Sequence, residues 1–189
     1  MINRIEIPLS KNKIILLLIG AFIFVVFGIL FVIEPENFVT NSTHLKLRNR
    51  IFSKYPELIR VIGVVAIGFF GAVCIYGIKK LIDKKVGLII DSNGITDNSN
   101  ASSIGLIEWN DITNIRTIRI MSTKFLLIDI VNPEKYIGKA KNRIQARLMK
   151  ANMNMYETPL SITSNTLKYD FNELEKLIQS EFEKNKNVG

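Results

Sequence analysis

The sequence predicts an α+β membrane protein: a two-helix transmembrane hairpin, then an antiparallel sheet with a C-terminal helix and an extra basic helix. Three observations lead there. Ile14–Ile33 and Val61–Ile78 are long apolar runs without a charged residue. After Lys85 the pattern changes to short alternating stretches broken by Asp-Ser-Asn-Gly and other turn residues. Apolar residues then recur at helical spacing after Pro133 and again after Asp170.

The first run reads IILLLIGAFIFVVFGILFVI, with Lys11 and Lys13 before it and Glu34-Pro35-Glu36 after it. A helix rises about 1.5 Å per residue, so about 20 residues cross a hydrocarbon core of roughly 30 Å. The run exceeds a signal-peptide h-region and no small-x-small cleavage site follows it, so it reads as an uncleaved anchor. The second run lies between Arg60 and Lys79-Lys80, and Leu58 and Ile59 extend it. Gly68 and Ala72 form a small-xxx-small pair there, suited either to packing against the first span or to homodimerisation. The connecting residues 34–60 exceed a tight turn. Their His44–Lys54 stretch suits either an interfacial helix or a solvated linker.

Two spans place both termini on one side. Arg4, Lys11, Lys13, Lys79, Lys80, Lys84 and Lys85 flank the membrane on that side, and Lys46, Arg48, Arg50, Lys54 and Arg60 lie in the connection. The modest bias predicts cytoplasmic ends. The expected division is a membrane anchor over 1–85, with spans at about 14–33 and 59–78, a folded domain over 86–183 and a polar tail over 184–189. The 189 residues, 48% hydrophobic with mean hydropathy +0.21, suit an anchor plus one domain.

In the domain, Val86–Asp91 and Gly94–Asn98 predict a hairpin around the Asp-Ser-Asn-Gly turn. Ile104–Trp109, Ile115–Met121 and Lys124–Val131 continue a meander of about five strands. One helix is expected from Pro133, with Ile137, Ala140, Ile144 and Leu148 as its apolar stripe. Lys135, Lys139, Arg143, Arg147 and Lys150 share its other side. Tyr156–Ile162 reads as an extended edge segment because Pro159 cannot donate to a ladder. Asp170 and Glu173 form a capping box for the last helix, which buries Phe171, Leu174, Leu177, Ile178 and Phe182.

Gly105-Leu106-Ile107-Glu108-Trp109-Asn110-Asp111-Ile112-Thr113-Asn114-Ile115 resembles the G-x-I-x-W-x-D-I-x-x-I stretch of bacterial pleckstrin-homology-like (PH-like) membrane proteins. The Gly87–Asp91 strand and its turn fit the same pattern. The chain is similar along nearly its whole length to small bacterial two-span proteins with a PH-like domain. That resemblance implies a strongly bent sheet closed by a C-terminal helix. The basic helix after Val131 departs from it. By physical reading, Trp109 covers one end of the sheet, Asp111 accepts N–H bonds in the next turn, and Ile112 and Ile115 return to the core.

Chemistry is expected to be absent. One His and one Cys, His44 and Cys74, exclude Cys/His zinc sites and an internal disulfide. His44 lies outside the domain, so no Ser-His-Asp arrangement assembles within it, and no phosphate-cradling GxxxxGK[ST] or GxGxxG occurs. The carboxylate pairs Glu108/Asp111 and Asp129/Glu134 read as surface or capping groups. No enzyme, cofactor or metal is expected. The net charge of +8 lies partly in span flanks and connection, and no aromatics interleave with the basic helix, which argues against nucleic acid. The basic face suits either anionic phospholipid headgroups or a merely solvated role. Two functions follow: a membrane-anchored binding or scaffold module engaging lipid or a protein partner at the bacterial inner membrane, or an immunity-type protein that neutralises a toxin there.

Overall fold

Uninterrupted apolar sequence dictates the first of two structural units, Lys11–Asp83. The computed structural model describes residues 4–38 and 56–186, so the expectation for His44–Lys54 lies outside the described residues. Helix α1 spans Lys11–Ile33 and helix α2 spans Pro56–Ile82, with proline at the first position where its missing N–H costs nothing. A short 3-10 turn, Pro35–Phe38, follows α1. Both helices are long and apolar enough to cross a membrane. Their outward side chains stay exposed, with Leu16 at 71%, Phe22 at 62% and Phe69 at 63%.

The seam between α1 and α2 uses every seventh residue of α1, Ile14, Ala21 and Gly28. At Gly63 a Cβ would meet the Gly28 carbonyl oxygen at 2.6 Å and the Phe31 Cβ at 2.9 Å, so only hydrogen fits. Phe24 stacks on Phe70 with centroids 4.4 Å apart. Gly68 and Ala72 do not take part. A Cβ at Gly68 would touch nothing within 4 Å, and Ala72 is exposed. The expected pair therefore faces outward, because Gly63, five residues earlier, already sets the rotation of α2.

The second unit joins Met1–Ser10 to Lys84–Gly189. Among the described residues it holds seven strands in two antiparallel sheets, where a meander of about five strands and one further edge segment were expected. The first sheet has the order β1 (Ile5–Ile7), β2 (Leu88–Asp91), β3 (Gly94–Asp97), β4 (Gly105–Glu108). The second has the order β5 (Ile112–Ile120), β6 (Thr123–Ile130), β7 (Leu160–Ile162). Residues 1–10, expected in the anchor, belong here. Ile5 pairs with Ile90 and Ile7 with Leu88, and all but Ile5 are buried. Ser10 N–H donates to Thr166 O (2.8 Å) and Lys168 N–H to Pro8 O (2.9 Å), which fixes the segment on a second side.

The predicted hairpin forms, with Asp91 opposite Gly94 and Asn93 N–H donating to Asp91 Oδ1 at 2.8 Å. Gly94 has φ +152, and a Cβ there would strike the Ile107 carbonyl oxygen. A 3-10 turn, Trp109–Asp111, links the two sheets. The helix expected from Pro133 is two helices, α3 (Pro133–Ile137) and α4 (Arg143–Tyr156). Asn142 begins α4 by accepting from Gln145 N–H. The break discards the expected stripe: Ile137 is buried, but Ile144 is 72% and Leu148 39% exposed. Helix α5 (Phe171–Lys186) buries Phe171, Leu174 and Ile178, as its spacing predicts, and runs into the expected polar tail. Asp170 Oδ1 caps it by accepting from Asn172 N–H (2.8 Å) and Glu173 N–H (3.4 Å).

Candidate functional site

The Trp109–Asp111 turn carries a polar cluster of the folded unit. Trp109 is buried, and its Nε1 donates to Asp91 O at 2.8 Å, tying the first hairpin to the sheet junction. Its ring lies 6.5 Å from that of Phe182. Ile112 and Ile115 enter the core.

Asp111 finds partners other than the backbone N–H groups expected. Its Oδ2 accepts from Lys135 Nζ and from Tyr136 Oη, each at 2.6 Å. Lys135 Nζ also lies 3.1 Å from Glu108 Oε1, and Lys139 Nζ 3.7 Å from the same oxygen. Tyr136 is fully buried; its hydroxyl accepts from Glu108 N–H at 3.1 Å. Lys139 Nζ stands 4.8 Å from the Tyr136 ring centroid, within cation–π range.

The electrostatics follow. Hydrogen bonds from Lys135 and then Tyr136 hold the Asp111 carboxyl below its ordinary range. Burial, then the bond to Asp111, pushes the Tyr136 phenol up to about 12. The Lys135 ammonium is held well above its usual value by the bond to Asp111 and then by that to Glu108. All three groups are driven away from neutrality. In the other carboxylate pair, Asp129 binds Arg116 at 2.9 Å.

The five cations of the expected basic face thus divide. Lys135 and Lys139 belong to this cluster, whereas Arg143, Arg147 and Lys150 lie on α4, exposed and without an ion-pair partner among the described residues. Helix α4 contains no acidic residue. Its inward face is Gln145 and Met149, and Gln145 Nε2 donates to Ser103 O at 2.6 Å. Its outward side also carries Ile144, Leu148 and Met155 (62% exposed). Sequence reasoning placed the first two in the core and did not single out Met155. The missed signal was Asn142, a good N-cap three residues before Gln145.

No protein-family model matches the chain, and neither a curated protein nor a solved structure matches it.

Proposed function

We propose that the chain is a non-enzymatic, membrane-anchored binding or scaffold module of the bacterial cytoplasmic membrane, with both termini cytoplasmic and α4 turned to anionic headgroups. The observation that carries this reading is Arg143, Arg147 and Lys150 on one exposed face, with no ion-pair partner among the described residues and no acidic residue within α4. Each such residue near an anionic surface contributes about 1 kcal/mol, so three suffice to orient a tethered domain. Lys84, Lys85 and Lys141 line one open depression of the same unit, which extends its cationic surface beyond α4. Exposed apolar side chains around α1 and α2 support lipid as their solvent, and the basic flanks support the orientation. A four-stranded and a three-stranded antiparallel sheet, followed by a terminal helix, support the PH-like reading of the fold. The non-enzymatic reading is supported by the Asp111 cluster, whose Oδ2 is taken up by Lys135 and Tyr136.

The test uses full-length protein with Cys74→Ala, reconstituted in nanodiscs and labelled with a fluorophore at Asn154→Cys, beside the basic residues. A nitroxide on the lipid headgroup should quench this label more strongly in equal parts phosphatidylcholine and phosphatidylglycerol than in phosphatidylcholine alone. Adding Arg143→Glu, Arg147→Glu and Lys150→Glu should abolish the difference. Quenching indifferent to both lipid and charge would refute the reading.

A further inference from the structure

Helix α4 leaves an apolar stripe uncovered on its flank. A surface helix ordinarily turns its apolar stripe to the core and its polar side chains to water. Here the side facing the domain buries Gln145 and Met149, with Ala146, Asn152, Met153 and Tyr156 half-buried, and its amides are hydrogen-bonded. Gln145 Nε2 donates to Ser103 O at 2.6 Å and its Oε1 accepts from Lys141 N–H at 2.8 Å. Asn152 Nδ2 reaches Pro159 O at 3.4 Å. Only Met149 is a fully buried apolar residue of this helix.

Four further apolar residues lie about 100° around the helix from that side. Ile144, Leu148, Ala151 and Met155 follow the i, i+4, i+7, i+11 spacing that places side chains on one stripe. Ile144 is 72% exposed, Leu148 39% and Met155 62%. A turn of about 100° per residue sets Arg143, Arg147 and Lys150 on the neighbouring stripe. Single exposed apolar residues are ordinary. A continuous apolar stripe beside a continuous cationic one, with no acid between, matches a helix lying in a membrane interface.

We infer that the Ile144–Leu148–Met155 stripe of α4 inserts into the acyl boundary of the leaflet whose anionic headgroups meet Arg143, Arg147 and Lys150. This rests on the anionic-surface reading above and adds to it a hydrophobic contact and an insertion depth. The charge pattern selects the occupant. A second copy docked antiparallel on the stripe would bring the same three cations against each other. The core of a protein interface is enriched in aromatic residues and depleted of charge, whereas this stripe has no aromatic residue and a cationic border. An anionic leaflet satisfies both stripes at once. Tethering through the two apolar helices supplies a high effective concentration, so a short stripe suffices.

The experiment again uses full-length protein carrying Cys74→Ala in nanodiscs of equal parts phosphatidylcholine and phosphatidylglycerol. An environment-sensitive fluorophore is placed at Leu148→Cys, and at Ser180→Cys on α5 as reference. Trp109 emission confirms that each labelled protein is folded. Nitroxide attached high on the acyl chain should quench the Leu148 label several-fold more than the Ser180 label, and aqueous iodide should reach only the latter. Ile144→Ser with Met155→Ser should reduce the acyl quenching while leaving headgroup quenching at Asn154→Cys in place. If headgroup quenching at position 154 persists while acyl quenching at 148 equals that at 180, insertion is wrong and the anionic contact stands. Loss of both signals overturns both readings. Acyl quenching equally strong without phosphatidylglycerol supports insertion and overturns the anionic preference. Disulfide crosslinking of Leu148→Cys between copies, with no acyl quenching, assigns the stripe to a second copy and overturns insertion.

Discussion

At the scale of single residues, Asp111 accepts from the buried Tyr136 hydroxyl at 2.6 Å. Removing the acceptor leaves a buried hydroxyl with one partner fewer, so Asp111→Ala should cost about 1–3 kcal/mol. The pH dependence follows from the shifts. Asp111 has its folded carboxyl below the ordinary value, so its contribution is full above that value and is lost as pH falls through the lower one. Tyr136 has its folded phenol raised to about 12, so its contribution is present below the ordinary phenol value and is lost as pH rises towards 12. The stability gap between wild type and Asp111→Asn, followed by Trp109 emission in detergent micelles, should therefore narrow as pH falls from 7 to about 3. Asp170 keeps its own acid dependence in both proteins, because the Asn172 amide lowers its carboxyl. A gap that stays constant with pH would refute the role given to the Asp111 carboxylate. That a strand ends just before the Trp109–Asp111 turn was legible in sequence. The partners of Asp111 were not, because Tyr136 lies 25 residues away and no local pattern announces a contact at that distance.

Between Pro133 and Tyr156 the elements show how a correct period can give a wrong helix. Ile137, Ala140, Ile144 and Leu148 fit one continuous stripe, but Gly138 closes α3 and Asn142 opens α4, which rotates the second half relative to the first. The capping signal outweighed the period because a satisfied helix start fixes the backbone before side chains choose a face. The last helix was legible because its period and its cap agreed. Helix α4 ends on Glu157, whose φ of 63 is left-handed and whose N–H donates to Met153 O. A side chain in this conformation costs about 1–2 kcal/mol, and glycine is the usual solution. Glu157→Gly should accordingly stabilise the protein by about 1 kcal/mol more than Glu157→Gln, in denaturant melts of the full chain. The glutamine variant removes the charge at the helix C-terminus and so isolates the dipole contribution. Equal effects of the two substitutions would show that backbone strain at this position is negligible.

For the molecule as a whole, strand β1 decides the topology. The two apolar helices were legible because charge-free runs of that length have few other uses, while β1 was hidden by being three residues long and followed by proline. Yet β1 precedes α1 and pairs in register with β2, which follows α2. Paired strands lie about 4.8 Å apart, and a hydrocarbon layer of about 30 Å cannot separate them. If α1 and α2 each cross the bilayer once, the residues before the first and after the second must share a compartment, and the turn at Pro35–Phe38 must face the other. It follows that an excised C-terminal fragment would lose a strand and expose the edge of β2, which is why intact protein is the right material for lipid experiments. In a Cys74→Ala background, Arg4→Cys and Ser180→Cys should react together with a membrane-impermeant maleimide only after the membrane is opened. Glu36→Cys should react in intact cells. The basic flanks predict which compartment is which, and that assignment reverses if Arg4→Cys and Ser180→Cys label from outside. The pairing predicts more than orientation, because it requires positions 4 and 180 to agree whatever the direction. Labelling of these two positions from opposite faces would break the β1–β2 ladder as a feature of the inserted protein.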